Sequence, residues 1–130
     1  MEKISMSHED YLEAIIMLGG TDEVPIRSVD VAKQMGVSKA SVNKAIGLLK
    51  ERGLVDQPYY GDITLTREGL EYGKAVYKRH RYLTAFLSKV LGIPEETAEE
   101  EACQMEHIIS EDSFDKITAY LKKFDDRFGQ

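Results

Sequence analysis

VPIRSVDVAKQMGVSKASVNKAIGLLKERGLV, residues 24–55, contains two short segments of helical periodicity joined by a glycine turn. In the first, Ser28 is expected to cap a helix whose apolar side is Val31, Ala32 and Met35, with Gly36 ending it. In the second, Ser38 caps a helix striped by Val42, Ile46 and Leu49, and Gly53 closes it. Only about three residues separate the two segments, the spacing of a helix-turn-helix. The pattern then changes to LVDQPYYGDITLT, residues 54–66, where Leu54, Val55, Ile63 and Leu65 alternate around a YYGD turn. A hairpin at this place makes a wing.

Helices are expected on both sides of this centre. Residues 8–19 space Tyr11, Leu12, Ile15, Ile16 and Leu18 as one helical stripe, with Ser7 as N-cap and Gly19-Gly20 as the stop. Arg67 to Leu91 reads as one long helix ending at Gly92, carrying Leu70, Val76, Leu83, Leu87 and Val90. Pro94 opens a fifth helix that runs to about Ser110, and SFDKITAYLKKF, residues 113–124, forms a sixth. Leu83, Phe86, Phe114, Ile117 and Leu121 are candidates for a subunit interface. The expected fold class is mainly α, with a winged helix-turn-helix over residues 1–72 followed by a helical domain over residues 73–130.

With 130 residues the chain can bury a real core. One cysteine cannot form an internal bridge, and no apolar run reaches membrane-spanning length, so a cytoplasmic location is expected. The net charge of -6 conceals a strong asymmetry. Residues 1–26 carry one base against six acids and residues 93–130 four against eleven, whereas residues 27–54 carry six bases against two acids. A basic centre suits a polyanion. The second helix of the pair should enter a major groove, so Arg27, Ser38, Lys39, Ser41, Asn43, Lys44 and Lys50 are the candidate DNA contacts, with Tyr60 at the wing.

The only thiol lies in EACQMEHIIS, residues 101–110, where Cys103, Glu106 and His107 stand at i, i+3 and i+4 on one helical face. Thiolate, carboxylate and imidazole are all metal donors. Taken alone, the triplet also fits a buried cysteine beside two ordinary polar residues. Asp10 and Glu13 share a face of the first helix, and His80 lies in line with the apolar seam of Val76, Leu83 and Leu87. A bundle of these three helices would draw six donors into one region.

EDYLEAIIML (residues 9–18), the winged helix, KRHRYLTAFL (residues 78–87) and EACQMEHIIS together resemble the diphtheria toxin repressor and manganese transport regulator family of metal-dependent transcriptional repressors. The resemblance covers nearly the whole chain. It implies a homodimer bound to a palindromic operator, and a helical domain that serves for metal binding and dimerisation. It also implies a metal set of Asp10, Glu13, His80, Cys103, Glu106 and His107, holding one or two ions of Fe2+ or Mn2+, with Co2+, Ni2+, Zn2+ or Cd2+ as surrogates. Glu106 would bridge if two ions bind. Manganese-type members resemble this chain at Asp10 and iron-type members at Cys103; Asp10 favours hard Mn2+ and Cys103 softer ions. The iron branch has a glutamate where Thr84 stands and a histidine where Glu99 stands. The resemblance is to the short form, without an SH3-like domain. Two other readings remain: a winged-helix regulator that works without metal, and a small metalloenzyme. No nucleophile and general base form a constellation, so a non-enzymatic role is expected.

Overall fold

The computed structural model describes residues 5–58 and 62–128, and the chain divides within a helix into two compact units, residues 1–77 and 78–130. Tyr60, expected at the wing, lies outside the described residues, as do Tyr59 and Gly61.

In the first unit α1 (Met6–Met17), α2 (Ser28–Met35) and α3 (Lys39–Glu51) enclose Leu12, Ile15, Val31, Val42, Ile46 and Leu49, all essentially inaccessible to solvent. These are the stripes expected from the 3.6-residue period. The turn between α2 and α3 depends on Gly36, which takes the left-handed conformation (φ 66°) while the following amide, Val37, bonds back to the Ala32 carbonyl at 3.1 Å. Side chains rarely adopt that φ. Ser38 then accepts from the Ser41 amide at 3.1 Å and starts α3 as expected.

Strands β1 (Ile26–Arg27), β2 (Val55–Asp56) and β3 (Asp62–Leu65) form an antiparallel sheet in the order β1-β3-β2, pairing Ile26 with Ile63 and Val55 with Leu65. The hairpin of β2 and β3 is the expected wing. The third strand was not legible: two residues cannot display a period of two, and β1 exists only through its pairing with β3. It also displaces an expected cap. Arg27 ends β1 in extended conformation and occupies the N-cap position of α2 without a side-chain capping bond, and Ser28 becomes the first helical residue, buried and accepting from Gln57 Nε2 at 3.3 Å. Ser5, not Ser7, caps α1, by accepting from the His8 amide.

The helix α4 (Arg67–Ala85) starts at a tight junction. Thr66 donates its hydroxyl to the Gly53 carbonyl at 2.6 Å and accepts from the Gly69 amide at 3.0 Å, which presses Gly69 onto the backbone of Leu54. A Cβ at residue 69 would stand 1.8 Å from the Leu54 carbonyl oxygen. The long helix is not α-helical to Leu91. Phe86–Val90 form a π-helical turn, with Leu91 N bonded to Phe86 O at 3.2 Å. One turn earlier the Thr84 hydroxyl donates to the His80 carbonyl at 2.7 Å, a local bond of the kind that bends helices.

In the second unit α5 (Glu95–Ile108) and α6 (Glu111–Phe124) follow. Pro94 sits at the N-cap of α5 rather than inside it, and α5 stops short of Ser110 because Ser110 caps α6 by accepting from the Ser113 amide at 3.1 Å. The core here comprises Tyr82, Leu83, Ala85, Leu87, Ala98, Ala102, Phe114 and Leu121. Leu83, Phe114 and Leu121 are therefore core residues rather than surface available to a second subunit. Phe86 and Ile117 remain half-buried and line an open apolar groove with Val90, Leu91 and Tyr120.

Gly69→Ala should destabilise the protein by about 1–3 kcal/mol, because backbone cannot yield to the added methyl. Gly47→Ala, in open space inside α3, should stabilise by roughly 0.5–1 kcal/mol. Urea unfolding of both variants, compared at equal slope, checks the pair.

Candidate metal centre and nucleic-acid interface

In the second unit the i, i+3, i+4 spacing does what helical geometry requires. Cys103, Glu106 and His107 each offer a donor atom within 4.8 Å of the others. Glu106 and His107 are both 2 % exposed, and His107 Nε2 lies 3.7 Å from Glu106 Oε1. From α4, His80 brings Nδ1 to 3.5 Å from the same oxygen. Cys103 is half-buried and forms no disulfide. His80, which sequence reasoning placed on an otherwise apolar seam, thus meets α5 at Glu106.

Neither carboxylate oxygen of Glu106 accepts a hydrogen bond among the described residues, although both are buried. A buried carboxylate so placed is expensive to hold unless a cation compensates it. Two imidazoles and one thiol around it form the mixed N, S and O set that binds divalent transition metals. The residues present fit such an ion.

The first unit carries the other two candidates on α1. Asp10 is half-buried, and Glu13 is 7 % exposed although its side chain is polar. Glu9 was not singled out from the sequence, yet it is buried and accepts a short hydrogen bond from the Tyr72 hydroxyl. No spacing rule joins residues 63 positions apart. Thr84 spends its hydroxyl on the His80 carbonyl and Glu99 is exposed, so neither joins the donor cluster of α5.

On α3, Lys39, Ser41, Asn43, Lys44 and Lys50 are exposed, opposite the buried Val42, Ala45, Ile46 and Leu49. No acid stands in its first turn. Ser38 and Ser41 bond each other through their hydroxyls at 2.9 Å, so part of their capacity is taken by the cap. Arg27 is exposed but holds Asp30 at 3.1 Å; this hydrogen bond raises the guanidinium pKa and lowers that of the Asp30 carboxyl. Lys39, Lys44 and Lys50 make no ion pair among the described residues. A cationic, hydrogen-bonding helix face of this kind suits a phosphate backbone and base edges.

Two family models match the chain. Residues 3–62 match the iron dependent repressor N-terminal DNA binding domain, and residues 66–127 match the iron dependent repressor metal binding and dimerisation domain. An uncharacterized HTH-type transcriptional regulator of Methanocaldococcus jannaschii is 35% identical over 125 residues, 95% of this chain and 99% of that protein. The HTH-type transcriptional regulator MntR of Bacillus velezensis is 34% identical over 121 residues, covering 92% of this chain and 83% of its own. Among solved structures, a manganese-dependent transcriptional repressor in complex with manganese superposes with a TM-score of 0.76 at 32% identity over 88% of this chain. The chain spans 52% of that structure's length. The fold and the donor set thus define a winged-helix regulator of the metal-responsive class. The chain belongs to the iron-dependent repressor family of metal-dependent transcriptional repressors, as the resemblance implied, and the members it matches are regulators rather than enzymes.

Glu106→Gln removes the buried carboxylate while keeping its shape. The metal-free variant should unfold at or above the wild-type temperature, and the rise in unfolding temperature on adding Mn2+ or Co2+ should be lost. Differential scanning fluorimetry with and without metal measures both.

Proposed function

We propose that this chain is a homodimeric repressor that binds a palindromic operator when loaded with Fe2+ or Mn2+, and that it acts in the cytoplasm without enzymatic activity. The observation that carries the reading is the buried Glu106 carboxylate, bracketed by His80, His107 and Cys103 in a chain whose α3 presents a cationic face. His80, Cys103, Glu106 and His107 would hold the ion, and the family resemblance adds Asp10 and Glu13 from α1. The ion would supply positive charge among crowded carboxylates. Were the α1 donors to take part as the resemblance implies, metal affinity and DNA affinity would be linked, each raising the other by the same factor.

The manganese of the solved relative argues for Mn2+, and Cys103 argues for a softer ion such as Fe2+. We place the functional division at residues 72 and 73, inside α4, with DNA binding before it and metal binding and dimerisation after it. Arg27, Ser38, Lys39, Ser41, Asn43, Lys44, Lys50 and Tyr60 are the proposed DNA contacts. Self-association is supported by the apolar groove of Phe86, Val90, Leu91, Ile117 and Tyr120, which leaves Leu91 and Tyr120 each 57 % exposed. Among the described residues no helix is long and apolar enough to cross a membrane.

Anaerobic Co2+ titration should produce a thiolate-to-metal charge-transfer band that is absent in Cys103→Ser. Operator retention should require metal and disappear with a chelator, and Lys44→Ala should reduce the slope of log affinity against log salt by roughly 1. DNA binding that ignores both metal and chelator would replace this reading with a metal-independent winged-helix regulator. Tyr120→Glu should shift the protein toward monomer in sedimentation velocity, and an unchanged dimer would remove the groove from the interface.

A further inference from the structure

Arg79 and His80 are consecutive on α4, and they address one residue of α5 at its two ends. His80 Nδ1 stands 3.5 Å from the Glu106 carboxylate. Arg79 Nη1 donates instead to the main-chain carbonyl of Glu106 at 3.3 Å and to that of Ile109 at 3.2 Å. Its other arm reaches Glu111 Oε2 at 2.8 Å, and the guanidinium lies 5.5 Å from the centre of the Phe114 ring.

These partners lie where a cation has most to hold. The last carbonyls of a helix lack intrahelical partners and carry the negative end of its dipole. The carbonyl of Glu106 belongs to the last turn of α5, and Ile109 is its C-cap. Arg79 therefore closes the C-terminal turn that bears Glu106 and His107 and joins it through Phe114 and Glu111 to the start of α6. Its side chain is only 22 % exposed, so the bonds to carbonyls are shielded from water. The Glu111 side chain is 75 % exposed, and its pairing adds little. A planar fork can hold two carbonyls and a carboxylate at once, whereas an ammonium on a flexible stem cannot fix the same geometry.

We infer that Arg79 is a positioning residue for the metal centre: by clamping the last turn of α5 to the turn of α4 that carries His80, it sets the separation of His80 from Glu106. This rests on the reading of His80, Cys103, Glu106 and His107 as metal ligands. No general property of a winged helix requires it. The role belongs to the outer layer of groups that orient ligands, whose removal typically weakens metal binding by roughly 10–100-fold.

The test is anaerobic Co2+ titration of the full chain as wild type, Arg79→Ala, Arg79→Lys and Glu111→Gln, following the thiolate-to-metal band, with thermal unfolding of each metal-free protein alongside. Arg79→Ala should weaken Co2+ binding by roughly tenfold or more and shift or diminish the band. Arg79→Lys should recover part of the affinity, and Glu111→Gln should stay within about twofold of wild type. Should Arg79→Ala fail to fold, Arg79→Lys decides, since it keeps the charge and most of the stem. Arg79 variants that bind Co2+ with wild-type affinity and spectrum overturn the inference, even if their metal-free unfolding temperature falls, because that pattern belongs to a merely structural arginine. A wild type that binds Co2+ without any thiolate band overturns the ligand assignment and the inference together. A wild-type band with unchanged Arg79 variants overturns the inference alone.

Discussion

A carboxylate that is 2 % exposed and accepts no hydrogen bond among the described residues carries a desolvation cost that its neighbours must offset. Glu106 bears that cost, and much of the second unit is arranged around it. His80 and His107 stand within 3.5 and 3.7 Å of the same oxygen, and Cys103 lies one turn away. Two imidazoles and a thiol around a buried carboxylate make a mixed donor set that suits a divalent cation. The packing that buries Glu106 thus gathers the donor set on which the proposed metal site rests.

The DNA-binding unit solves a different problem, which is to hold one short helix rigidly while leaving its outer face free. Val42, Ala45, Ile46 and Leu49 are buried along α3, and the Ser38 cap and the Gly36 turn set where that helix begins. The small sheet then closes the edge of the core with Ile63 and Leu65. What remains outside is a row of lysines, an asparagine and serines. A rigid apolar underside with a cationic outer face is the physical content of a nucleic-acid reader.

Much of this was legible because helices advertise themselves. The stripes of α1, α2, α3 and α6 follow a 3.6-residue period, Ser38 reads as a cap in sequence and acts as one, and Gly36 and Gly53 both take positive φ. Where reading and structure part, a competing interaction is responsible. Ser28 lost its capping role to the strand that precedes it, and α5 ended early because Ser110 was claimed by α6. The long helix changed to a π turn near Thr84, whose hydroxyl bonds the helix's own backbone at His80. Leu83, Phe114 and Leu121 look alike in sequence to Phe86 and Ile117, and only packing separates core from open groove.

Sequence alone determined which residue types could share a helical face, and therefore that Cys103, Glu106 and His107 would converge and that α3 would be basic outside and apolar inside. Periodicity and capping are local, and residues three or four apart report them directly. Tertiary structure alone decided that His80 meets Glu106 across 26 residues, that Tyr72 holds Glu9, and that Arg79 grips the carbonyls closing α5. Those pairings depend on how helices dock, and docking is set by the fit of whole apolar faces, a quantity that no short window of residues contains.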